Sequence, residues 1–173
     1  MLTCKEIVSG DSIAGLRLSN DASRVVYSVG PTYRPNDHAT SALWLALTAS
    51  EGSAKQITSG LFCDKSPEFH PHGSDIYFLS DRHKAGGPAQ IYRLPLNSND
   101  GVPIPITFPT LTGSVSSFSI SPDGQYLAFV SPDKPAEEGE TKRKEDVIDV
   151  EIWGEKKNLG RLRLLNLADL NEK

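Results

Sequence analysis

The sequence predicts an all-β chain made of about three repeated four-stranded units, and three observations carry that reading. The windows LSNDASRVVYSV (18–29), FHPHGSDIYFLS (69–80) and ISPDGQYLAFVS (120–131) align without a gap, each 51 residues after the last. Apolar segments of alternating pattern, bounded by Gly, Pro, Asn and Ser, recur in the same order around each window. No amphipathic stretch of more than two helical turns interrupts them. A repeat of about 50 residues is the mark of propeller blades, so the fold expected is a partial β-propeller of about three four-stranded blades.

The hairpin turn explains the residue choice in each window. Asn20, Pro71 and Pro122 share a column, followed by Asp21, His72 and Asp123, and then by Ala22, Gly73 and Gly124. Proline pre-sets φ for the second position of a type I turn. Glycine then takes the left-handed conformation that returns the second strand in register. A side chain in that conformation costs roughly 1 kcal/mol or more, so the Ala22 copy is expected to carry a distorted turn or one of another type. In the strand after the turn, Val25, Ile76 and Leu127 share one column and Tyr27, Phe78 and Phe129 another.

The remaining strands follow in order. Short strands enter each hairpin in AGLRL, SPEF and SSFSI. Third strands are read in ALWLALTAS (42–50), QIYRLPLNS (90–98) and RLRLLNLAD (161–169). Short fourth strands are read in KQITSG (55–60) and PIPITF (103–108), with no fourth strand in the last unit. The organisation expected is a lead-in at 1–14, blade 1 at 15–60, blade 2 at 61–110, and an incomplete blade 3 at 111–173.

A charged insert at 131–160 interrupts blade 3; from Asp133 to Lys157, 15 of 25 residues are charged, with mixed signs. That composition reads as a solvated loop. Within it VIDVEIW (147–153) alternates like an extra strand or a packing arm, and long loops on repeat proteins often bind partners.

Composition narrows the function. A formal charge of −4 offers no basic surface for nucleic acid. The longest strongly apolar run, Leu43 to Leu47, is too short to span a bilayer. The N-terminus lacks the charged start and apolar stretch of a signal peptide. Only Cys4 and Cys63 are present, which fits a reducing, cytoplasmic setting rather than a disulfide framework.

The run SPDGQYLAFVS resembles the WD40-like, TolB-type propeller repeat. More specifically, the order LWLAL, KQITSG, SPEFHPHGSDIYFLSDR, IYRLPL, PIT, SPDGQYLAFVSP and RLRLLNL resembles the N-terminal propeller of the prolyl oligopeptidase family of serine peptidases. Within that family the likeness is to the acylaminoacyl-peptidase and dipeptidyl-peptidase V branch, with FLSDR (78–82) a shared phrase, and it extends from about Ile7 to Leu167. The resemblance implies a propeller that caps an α/β-hydrolase domain and admits short peptides to its serine. The partners it implies are therefore short peptide substrates, reached through a hydrolase domain outside this chain. The alternative is a non-catalytic TolB/WD40-like propeller for protein interaction.

The chemistry of that family needs a serine on a G-x-S-x-G elbow, then an Asp and a His. The nearest string is GDSIAG (10–15), with Ala14 in place of the second glycine, so Ser12 reads as a loop serine ahead of the first repeat. His70 and His72 form an H-x-H pair but fall on turn positions, and no third metal ligand accompanies them. Glu137 and Glu138 resemble the paired glutamates with which some dipeptidyl peptidases hold a free amino group, without that motif's flanks. Trp44, Tyr92 and Phe129 read as packing between blades, and Asp81 with Arg82 as a buried pair or a loop cap. No catalytic, cofactor-binding or metal residue is assigned, no cofactor is implied, and the oligomeric state stays open.

Stability of stacked repeats is largely a sum of interfaces, and known propellers close with about four to eight blades. Each uncovered apolar face forfeits roughly 25 cal/mol per Å². The expectation is a fragment of a longer protein, inactive alone, that aggregates or melts with low cooperativity.

Overall fold

The computed structural model describes residues 10–32, 38–97, 101–107, 111, 113–132 and 160–168. They form three antiparallel sheets in chain order. The first sheet is β1 (Asp11–Leu18), β2 (Arg24–Pro31), β3 (Ala42–Leu47) and β4 (Lys55–Gln56), side by side in that order. The second repeats it with β5 (Lys65–Phe69), β6 (Asp75–Ser80), β7 (Gln90–Pro95) and β8 (Ile104–Pro105). The third comprises β9 (Ser117–Ile120), β10 (Tyr126–Pro132) and β11 (Gly160–Asn166). The structure is all-β, a partial propeller. The alternating segment 147–153 and the Glu137–Glu138 pair lie outside the described residues.

The sheets stack face to face because their strands alternate apolar side chains on both faces, not one. Every residue of β6 is buried. Ile76 and Phe78 point into a cluster with Val26, Leu43 and Leu45 of the first sheet. Tyr77 and Leu79 point the other way, into a cluster with Leu127 and Phe129 of the third. The middle sheet thus separates two cores that do not mix. The first strands, β1, β5 and β9, lie against one another, so the sheets converge on that side.

All three hairpins close identically. The backbone N–H groups of Ala22, Gly73 and Gly124 donate to the carbonyls of Ser19, His70 and Ser121 at 2.8, 2.7 and 2.8 Å. The next pair inward, Ser19–Arg24, His70–Asp75 and Ser121–Tyr126, closes at 2.9 Å in each. The expectation of a different turn at Ala22 is therefore corrected: Ala22 adopts φ 55°, beside 70° for Gly73 and 71° for Gly124. Local bonds supply the reason. Asp21 accepts from the Ser19 hydroxyl at 2.6 Å and from the Ser23 backbone and hydroxyl at 3.1 and 2.7 Å, and Thr48 Oγ1 donates to the Ala22 carbonyl at 2.7 Å. This network holds alanine where glycine would sit without strain.

A second correction concerns the chain start. β1 begins at Asp11 and crosses the boundary drawn between lead-in and blade 1. Ser12 is a strand residue opposite Gly30, not a loop serine, because the ladder continues through Ile13–Val29 and Asp11–Pro31. The strand tolerates Gly15 through a bulge between Ala14 and Arg17, and β5 has the same irregularity between Lys65 and Glu68. The bulged residues, Gly15 at φ 61° and Ser66 at φ 51°, are again one repeat apart.

Candidate functional site

The densest group of buried polar side chains lies where the first two sheets meet, around the FLSDR phrase. β6 ends at Ser80 and delivers Asp81 and Arg82 to the start of the link to β7. Arg82 turns back and pairs with Asp64, both carboxylate oxygens standing 2.8 Å from the one nitrogen Nη2. Its Nε donates to Ser80 Oγ at 3.0 Å. The guanidinium also lies over the rings of Phe62, Phe78 and Tyr92, at 5.6, 5.0 and 5.1 Å from their centroids. A planar cation that stacks and forks at once is a role lysine does not fill.

Asp81 is buried too but does not pair with Arg82. It accepts from the backbone N–H of Cys63 at 2.8 Å and of Gly86 at 2.7 Å, so it caps the β6–β7 link and ties down the segment before β5. Of the two roles expected for Asp81 and Arg82, Asp81 caps the loop, while the buried pair forms with Asp64. Ser41, which precedes β3, donates through Oγ to the Asp64 carbonyl at 2.6 Å and forms a parallel bridge with Cys63. The group is an electrostatic latch within blade 2, which holds the 62–64 segment where Ser41 of blade 1 binds it. Asp64 and Arg82 neutralise each other, and the Asp81 carboxylate is held by two backbone N–H groups. Sequence reasoning passed over Asp64; the one signal was an acid directly after the apolar run LFC (61–63).

Related polar ties recur at the third strands. Thr58 Oγ1 accepts from the Leu43 N–H at 2.9 Å, and Thr107 Oγ1 accepts from the Ile91 N–H at 3.0 Å. Each threonine follows a fourth strand of only two residues and supplies the acceptor that a longer strand would have provided. Thr107 also donates to Gln90 Oε1 at 2.7 Å, while Gln90 Nε2 donates to the Gly113 carbonyl at 2.9 Å.

The other candidates are scattered. Ser12 Oγ donates to the Gly30 carbonyl at 3.1 Å, which makes it a strand-pairing hydroxyl. His70 uses Nε2 to reach the Gly124 carbonyl at 3.1 Å, and its Nδ1 accepts from the His72 N–H at 3.3 Å. That places His70 as a turn residue with both ring nitrogens engaged. Tyr92 and Phe129 are buried in the first and second cores respectively. Trp44 faces away from blade 2, opposite Tyr27. Among the described residues no three His, Cys, Asp or Glu side chains gather as a metal site.

Burial shifts titration at Tyr92 and at Glu68. Burial pushes the Tyr92 phenol up against the opposing pull of Arg82. On β5, burial raises the half-buried Glu68, and the charge of Arg17 on β1 partly offsets it. A cavity of about 510 Å³ opens at the outer side of the same blade junction, with Leu45, Ile57, Leu94 and Leu96 in its wall and Arg24 and Lys55 as its cations.

No protein-family model matches the sequence. Nor does any curated protein match. Solved structures do. TolB from Agrobacterium tumefaciens superposes with a TM-score of 0.56 at 20% identity, over 87% of this chain and 44% of that one. The acylaminoacyl peptidase of Pyrococcus horikoshii superposes with a TM-score of 0.62 at 14% identity, over 95% of this chain and 24% of the peptidase. The tricorn protease gives 0.51 at 13% identity, over 76% of this chain and 16% of that one. The fold is that of a β-propeller segment. At these identities the likeness shows the fold alone. The propeller segment spans less than half of each of these chains. Among the described residues no helix is long and apolar enough to cross a membrane.

Proposed function

We propose that this chain is the gating, substrate-selecting propeller portion of a serine peptidase of the prolyl oligopeptidase family. The enzyme hydrolyses short peptides as a dipeptidyl- or acylaminoacyl-peptidase. Its catalytic serine, aspartate and histidine belong to a hydrolase domain outside these residues, and this chain alone is inactive. The setting is cytoplasmic, with short peptides as partners and neither nucleic acid nor membrane.

One observation carries the reading. Ser80, Asp81 and Arg82, which hold the resemblance to those peptidases, are the residues that fix Cys63 and Asp64 at the start of blade 2, the segment that Ser41 of blade 1 binds. The shared phrase therefore does mechanical work in this fold and is not an incidental loop string. Propellers of acylaminoacyl peptidase among the similar structures support it.

The test is the coding sequence beyond Lys173 together with serine labelling. An in-frame region with a G-x-S-x-G elbow, whose translated protein reacts with a fluorophosphonate, supports the reading. The chain itself takes no label, because the Ser12 hydroxyl is committed to the Gly30 carbonyl. A reading frame that closes without such an elbow favours a TolB-like propeller for protein interaction, the second reading, to which the Agrobacterium likeness points.

A further inference from the structure

The junction of blades 1 and 2 carries a second cavity beside the one at its outer side. It holds about 470 Å³, with Ile57, Thr58, Ser59, Arg82 and Val102 in its wall. Gln56, Ile57 and Gly101 line both cavities, and the 510 Å³ one continues past Lys55 to Ser53 and Leu47. Successive residues from Lys55 to Ser59 thus line one continuous groove that follows β4. That strand is the outer edge of its sheet, and both its residues are exposed. One cavity of this size suits a compact ligand. Two in line along a strand edge suit an extended chain.

The floor of the groove is apolar. Leu45 and Leu94 belong to the core shared by blades 1 and 2, and Ile57 and Leu96 pack against it. At the rims Leu47 is 50% and Val102 62% exposed. The charge of the groove is one-sided. Arg24, Lys55 and Arg82 line it, and no carboxylate does among the described residues, although the chain has a formal charge of −4. Asp64 answers Arg82, but among the described residues no carboxylate pairs with Arg24 or Lys55. The repeat shows what is missing. Asp75 holds the column of Arg24 in blade 2. Arg93 holds the column of Leu45, since Tyr77 and Val26, one repeat apart, stand opposite them. Blade 2 fills these two columns with an ion pair, Arg93 Nε standing 3.1 Å from Asp75 Oδ2. Blade 1 holds a cation and a leucine there, and the anion is left to come from outside.

The geometry points to a docking groove for an extended acidic peptide of a partner protein. Alternate apolar side chains of the peptide seat over Leu45, Ile57 and Leu94, and its carboxylates face Arg24 and Lys55. An extended chain presents its side chains to opposite sides in turn, which matches an apolar floor beside a cationic wall. Charge complementarity selects this occupant over a basic or neutral one. The inference does not rest on the peptidase reading.

The test is fluorescence anisotropy of the 173-residue chain with a labelled peptide of alternating leucine and glutamate. The expected result is saturable binding tighter than about 1 mM that weakens as salt rises. Probes with lysine for glutamate, or with glycine for leucine, should not bind. Lys55→Glu is expected to weaken binding on the order of tenfold, because it replaces an attraction with a repulsion. Val102→Ser should weaken it about threefold through lost apolar contact. Lys65→Glu makes the same charge change at an exposed site outside the groove and should leave the affinity unchanged. All three positions are exposed, so circular dichroism of each variant is expected to match the wild type. An acidic probe that does not bind overturns the inference, as does an equal loss in Lys65→Glu. Octanoate that displaces the peptide and binds as tightly would replace the peptide with a compact carboxylate as the occupant, and so overturn it as well.

Discussion

His70 donates its Nε2–H to the carbonyl of Gly124, 3.1 Å away across the junction of blades 2 and 3. One repeat earlier, Arg24 Nη2 donates to the Gly73 carbonyl at 2.7 Å across the junction of blades 1 and 2. Two different side chains thus reach the same turn carbonyl of the following blade. The glycine serves twice, supplying the left-handed turn and leaving room for the visitor.

That double role predicts an order of costs. A Cβ at Gly124 would stand 2.6 Å from His70 Cε1, while one at Gly73 would stand 2.9 Å from the flexible end of Arg24. Gly124→Ala therefore destabilises more than Gly73→Ala, by about 2–3 against about 1 kcal/mol in urea unfolding. Ala22→Gly should instead stabilise slightly, by less than about 1 kcal/mol, since relief at φ 55° is opposed by added freedom of the unfolded chain.

The latch predicts strong coupling between Asp64 and Arg82. With Asp64 fully buried and the Arg82 side chain 15% exposed, removing either partner strands a charge. Asp64→Ala or Arg82→Ala is expected to cost about 3–5 kcal/mol, and the double variant far less than the sum. Arg82→Lys should recover little, because it neither forks nor stacks. A double-mutant cycle by denaturant unfolding measures this, and additive costs would refute the latch.

Acid stability follows from the turn aspartates. Hydrogen bonds from Ser19 and Ser23 hold the Asp21 carboxyl down from the ordinary 3.8 to about 2, and those from Ser121 and Gln125 lower Asp123. A depressed carboxylate stabilises the fold above its unfolded pKa and loses that contribution as pH falls through the folded one. Asp21→Ala is therefore less stable than wild type at pH 6, and the gap narrows between about pH 4 and pH 2. Chemical unfolding at several pH values checks this, and a constant gap would contradict it.

Glu68 carries the opposite sign. Burial raises it from 4.5, so ionisation works against the fold once pH exceeds the unfolded value. Glu68→Gln should stabilise at neutral pH and lose that advantage toward pH 3. Thermal melts across this range read it.

The blades were legible because three hairpins kept one spacing and one alternation, which fixes strand, register and face together. Val25, Ile76 and Leu127 share a column, and the latter two are buried against the preceding blade. What escaped were features without period. Asp64 meets Arg82 18 residues away through a loop, and no spacing rule joins them. The Ala22 turn escaped because local preference argues against it, while Asp21, Ser19 and Thr48 hold it in place. Thr58 and Thr107 follow strands too short to announce their hydroxyls as ladder acceptors.

The central claim is that the middle sheet is sandwiched between two cores of its own making. Methyl and aromatic nuclear Overhauser contacts test it directly. Ile76 and Phe78 should show cross-peaks to Val26 and Leu43, Leu79 should show them to Leu127 and Phe129, and the two sets should not connect. Cross-peaks joining Leu79 to Val26, or Leu127 to Leu43, would contradict the stacked blades.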